Sequence, residues 1–81
     1  MPEEISLDII NISPAAHEAW QAIASRIVGI LPSLGIAPGD IPDEKARVEN
    51  DGSLTVFVEL SIGEVSLRVP PNQWTYRFPK N

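Results

Sequence analysis

Cysteine is absent from this chain. That excludes a disulfide framework, a thiolate zinc site and a cysteine nucleophile, and it removes the staple on which many small secreted domains rely. Histidine occurs once, as His17, so a metal would find neither a second imidazole nor a thiolate to share. Long hydrophobic runs are missing too. The longest apolar stretch, 23–34, is cut by Ser25, Arg26 and Pro32, and a bilayer span needs about 20 apolar residues in a row. The opening Met-Pro-Glu-Glu has no basic n-region and no apolar h-region, so no signal peptide is read. A cytoplasmic location is the resulting expectation. Positive charge is scarce: Lys and Arg number 6 against 11 acids, for a formal net charge of −5. An acidic balance of this kind argues against nucleic acid and anionic membrane as partners.

With 81 residues the chain is expected to be a single domain over 1–81. A domain of this size buries roughly 60–65 % of the surface its unfolded chain exposes, enough for one modest core and no enclosed cavity of size. A cofactor would have to sit in a surface groove or between subunits, and none is expected.

What is present is clear patterning. Ile5, Leu7 and Ile9 alternate with Ser6 and Asp8, as in a half-buried strand. The phase slips where Ile10 and Ile12 flank Asn11, which a bulge near Ile9–Ile10 or a strand end buried on both faces would equally produce. Ser13-Pro14 marks a helix start: the serine hydroxyl caps a free amide, and proline at the first position forfeits no hydrogen bond. Ala16, Trp20, Ile23, Ala24, Ile27, Leu31 and Leu34 then recur at three- and four-residue spacing, one face of an amphipathic helix. Pro32 should end the regular helix by Leu31, with Gly35 as a left-handed terminator.

After a Pro/Gly loop at 36–43, the period becomes two. Ala46 and Val48 alternate with Arg47 and Glu49. Asn50-Asp51-Gly52 is a hairpin turn signal. Leu54, Val56, Val58 and Leu60 form one face of the next strand, with Thr55, Phe57 and Glu59 on the other. A turn at 61–64 leads to Val65, Leu67 and Val69. Pro70-Pro71-Asn72 closes that strand, and Trp74, Tyr76 and Phe78 share one side of a last strand, prolines suiting it to a sheet edge. The order β-α-β-β-β-β predicts an α+β domain: a single antiparallel sheet of four to five strands with one amphipathic helix packed on one face. The opposite face, carrying Arg47, Glu49, Thr55, Glu59, Ser66 and Arg68, should be wet.

No segment carries a catalytic signature. There is no Gly-x-Ser-x-Gly, and Gly35-Ile36-Ala37-Pro38-Gly39 lacks the lysine and hydroxyl of a phosphate loop. His17 lies one turn inside the helix, where the dipole disfavours imidazolium. The loop acids Asp40, Asp43 and Glu44 match no calcium loop and read as solvated. The sharpest feature is the C-terminal group of Arg68, Trp74, Tyr76, Arg77 and Lys80, which combines stacking surface with positive charge in a stretch without acids after Glu64. Aromatics on one face of a terminal strand are more often core than platform, and these would pack near Trp20 and Ile27.

The chain therefore reads as a small non-catalytic protein–protein interaction or regulatory module, with those C-terminal residues as the candidate partner-binding set. Its partner is expected to be protein, with homodimerisation through the open edge of that terminal aromatic strand as the specific form. Two other readings stand beside it. One is an acidic inhibitor of a nucleic-acid-binding protein, acting through Asp40, Asp43, Glu44, Glu49 and Glu59. The other is an enzyme, or enzyme subunit, that uses the loop carboxylates.

Overall fold

Ser6 decides how the chain begins. In the computed structural model, which describes residues 3–40 and 42–77, the first strand is interrupted just after it starts. Strand β1 (Glu3–Ile5) gives way to a 3-10 turn at Leu7–Ile9, and strand β2 (Ile10–Ile12) follows. The Ser6 hydroxyl accepts from the Asp8 amide at 3.3 Å and starts that turn. The phase slip in the sequence is thus a turn, not a bulge. It sends β1 and β2 to different partners.

Helix α1 (Pro14–Ile30) begins at the Ser13 cap, whose hydroxyl accepts from the Ala16 amide at 3.1 Å. Caps of this type are worth about 0.5–2 kcal/mol. Regular helix stops at Ile30 and a 3-10 turn over Leu31–Leu34 absorbs Pro32. Gly35, at φ 76°, takes the left-handed position and its amide bonds back to the Leu31 and Pro32 carbonyls. A side chain there would strain the backbone.

Strands β3 (Lys45–Val48), β4 (Leu54–Leu60) and β5 (Gly63–Val69) form a meander, and β6 (Trp74–Tyr76) comes last. All pairings are antiparallel. The main sheet has the order β1-β3-β4-β5, while β2 and β6 make a separate two-stranded ribbon. Ala46 faces Val56 and Leu54 faces Val69 in the sheet; Ile12 faces Trp74 in the ribbon.

One layer is the main sheet, the other α1 with the ribbon. Trp20, Ile27 and Leu31 come from the helical side and Ile10 from the ribbon. They close on Ala46, Leu54, Val56, Val58 and Val69, all buried. The expected α+β class, with one helix on one face of an antiparallel sheet, is what the chain adopts, and the apolar stripe read for the helix faces inward. The terminal aromatic strand differs from expectation. It is not the outer strand of the meander, because Pro70 and Pro71 turn the chain away and β2 is available to pair with it. The main sheet ends instead at β1 and β5. No helix among the described residues is long and apolar enough to cross a membrane.

Candidate interaction surface

Two of the C-terminal candidates, Arg68 and Trp74, reach the β3–β4 turn. Gly52, at φ 88°, closes that turn by donating its amide to the Glu49 carbonyl at 3.0 Å. Asp51 accepts from the Ser53 amide at 3.0 Å and from the Ser53 hydroxyl. Arg68 reaches over from β5, donating Nε to Ser53 Oγ at 2.9 Å and Nη2 to the Asp51 carboxylate. Trp74 Nε1 donates to the Gly52 carbonyl at 3.0 Å, and Tyr76 packs edge-on to the Trp74 ring with centroids 5.0 Å apart. The sequence marks Arg68, Trp74 and Tyr76 as candidate partner-binding residues while favouring a core position for the aromatics; Trp74 does pack against the core, but Tyr76 is exposed. Arg68 and Trp74 hold a turn. Arg77 is exposed, its amide bonded to the Ile9 carbonyl. Phe78 and Lys80 lie outside the described residues.

This clamp has a pH signature. Hydrogen bonds from the Ser53 hydroxyl and amide, then from Arg68, bring the Asp51 carboxyl down from 3.8 to about 2. A carboxyl depressed in the folded state stabilises fully above its unfolded value and loses that contribution as pH falls through the folded one. Stability is therefore expected to decline from about pH 4 towards pH 2. In urea titrations across that range, Asp51→Asn should flatten the decline. An unchanged slope would show that Asp51 is not the group responsible.

The face away from the helix is not simply wet. Phe57 sits there, between Lys45 and Ser66 in register, yet is only 3 % exposed. Arg47 covers it, the guanidinium 4.8 Å from the ring centroid. From that position Arg47 donates Nε to Glu49 at 2.9 Å and two parallel bonds to Glu64, at 2.8 and 3.0 Å. The reach to Glu64 solves a second problem. Glu59 and Glu64 are directly opposed on β4 and β5, an arrangement that repels. Each takes a cation from β3: Lys45 bonds Glu59 at 3.2 Å, and Arg47 takes Glu64. The Arg47 bond lowers the Glu64 pKa, and the Glu59 bond raises that of Lys45. Sequence reasoning placed Phe57 on this face but missed its burial; the signal was an aromatic in the polar phase of a strand.

The two edges of the main sheet are unequal. Strand β1 is 3 residues long and carries Glu3 and Glu4, and short acidic edges resist pairing. Strand β5 is 7 residues long, has no internal proline, and presents half-buried Val65 and Leu67 alternating with exposed Glu64, Ser66 and Arg68. Beside its C-terminal half runs a groove of about 410 Å³, lined by Ala15, Ala16 and Ala19 of α1 with Leu67, Val69 and Pro70.

No family model, curated protein or solved structure matches this chain.

Other candidate groups are more dispersed. His17 is exposed and its Nε2 lies 3.5 Å from Gln21 Nε2. Both line a groove of about 190 Å³ with Leu7, Ile12 and the buried Trp20, whose Nε1 finds no acceptor among the described residues. Asp43 and Glu44 meet Glu4, Asp8 and Lys45 around a second groove, while Glu49 and Glu59 are tied to Arg47 and Lys45 on the sheet. Among the described residues no three His, Asp or Glu side chains converge as metal ligands would.

Proposed function

We propose that this chain is a small non-catalytic interaction module that binds protein by adding an extended strand to the outer edge of β5. One observation carries the reading: a 7-residue edge strand with alternating apolar and charged residues and no internal proline. An unpaired edge offers a row of amides and carbonyls to another backbone, while alternate side chains supply specificity. The described titratable groups support a non-catalytic role. Arg47, Arg68 and Lys45 are engaged with carboxylates, and the described hydrogen bond of His17 is to Gln21.

Amide hydrogen exchange tests the reading whichever strand is taken up. An open edge protects only the β5 amides that point to β4; an occupied edge protects the outward ones as well. The probe is a peptide of alternating valine with lysine and glutamate, added at rising concentration to the labelled chain. The expected result is new protection within Gly63–Val69, with β1 unchanged. Outward β5 amides that keep exchanging freely, at high chain and peptide concentration alike, would sink the proposal.

A further inference from the structure

We infer that the strand this edge takes up is β5 of a second copy, paired antiparallel about a two-fold axis through Ser66. The inference rests on the edge-binding reading above and adds the partner and the register.

Directly opposed residues of an antiparallel pair project to the same side, so a register that keeps the two helix-bearing faces level must match residues of like parity. Three registers near the strand centre do so. Centring on Val65 or Leu67 shortens the ladder and sets Glu64 or Arg68 against Ser66. Centring on Ser66 overlaps the whole of Gly63–Val69. It also sets Glu64 opposite the second copy's Arg68, twice by symmetry, with the two Ser66 side chains facing each other. On the helix side Val65 meets the second copy's Leu67, and the Ala15–Ala16–Ala19 groove lies along that same edge.

The charged groups are placed for this. Arg68 is 62 % exposed even while bonded to Asp51, and its described bonds use Nε and Nη2. Glu64 is one-third exposed with both oxygens on Arg47, and a carboxylate has further acceptor sites. Strand β1 has no comparable solution, since centring it on Glu4 opposes like charges.

Charge reversal tests the register. Alone, Glu64→Lys and Arg68→Glu each place like charges at both ends of the symmetric ladder and should weaken dimerisation roughly tenfold or more. Mixed, the introduced lysine faces the introduced glutamate, and native Arg68 of one chain faces native Glu64 of the other. The mixture should dimerise like the parent in analytical ultracentrifugation. Each variant also loses a bond within its own chain, but mixing leaves those losses in place, so recovery arises only across the interface.

A second measurement does not depend on these variants folding well. Opposed residues in an antiparallel pair lie at Cα distances of roughly 4.5–5.5 Å, within disulfide range. Because the chain has no cysteine of its own, Ser66→Cys should oxidise to a single covalent dimer, whereas Arg68→Cys alone should not. A parent chain that stays monomeric at high micromolar concentration overturns the inference. So does a dimer that mixing fails to restore and Ser66→Cys fails to trap. In either case, exchange protection by the alternating peptide would leave edge binding itself standing.

Discussion

Phe57→Ala is expected to lower the free energy of unfolding by about 3–5 kcal/mol, as much as a truncation in the main core. The residue lies on the sheet face opposite the helix, where such a loss would ordinarily be small. Its 3 % exposure removes that expectation. The Arg47 guanidinium lies over the ring, 4.8 Å from its centroid. For 81 residues the whole stability is about 4–12 kcal/mol, so this single change should leave the domain close to its unfolding threshold. Arg47→Ala removes the cover and also releases Glu64 opposite Glu59. Because the two side chains touch, their effects should not add: a double-mutant cycle in urea should show coupling of about 0.5–3 kcal/mol. Additive losses would mean that Phe57 is shielded by something other than Arg47.

Phe57 also marks where the sequence stops being legible. Periodicity states which residues share a face, and Ala16, Trp20, Ile23, Ile27 and Leu31 of the helix stripe, like Leu54, Val56 and Val58, do meet in the core. It does not state what lies over a face. Arg47 and Phe57 are ten positions apart, and only the β3–β4 register, with Lys45 against Phe57 and Arg47 against Thr55, brings the guanidinium over the ring. The partition of strands was hidden for the same reason. Ile10–Ile12 and Trp74–Tyr76 read as strands, but their pairing with each other depends on the turn at Leu7–Ile9 and the bend at Pro70-Pro71, neither of which names a partner. As for the surface, Arg68 and Trp74 were recognisable as unusual in composition. Their attachment to the Asp51–Ser53 turn follows from Leu54 facing Val69, a contact between positions far apart in the chain.

Trp20 gives the sharpest separation between size and polarity in the core. Trp20→Ala should cost about 3–5 kcal/mol, since the side chain is 4 % exposed and sits among Ile10, Ile27 and Val56. Trp20→Phe should cost far less, within about 1 kcal/mol of the parent. The smaller ring surrenders apolar contact, but it also deletes an indole N–H that has no acceptor among the described residues. Burying such a group unpaired costs about 1–3 kcal/mol, and removing it offsets most of the lost contact. Chemical denaturation of the two variants decides the matter through the ratio of their effects. If phenylalanine proves nearly as damaging as alanine, the N–H has a partner in solution. Trp20 borders the groove formed with Leu7, Ile12, His17 and Gln21, and an ordered water that satisfied the N–H would need two to four polar neighbours there.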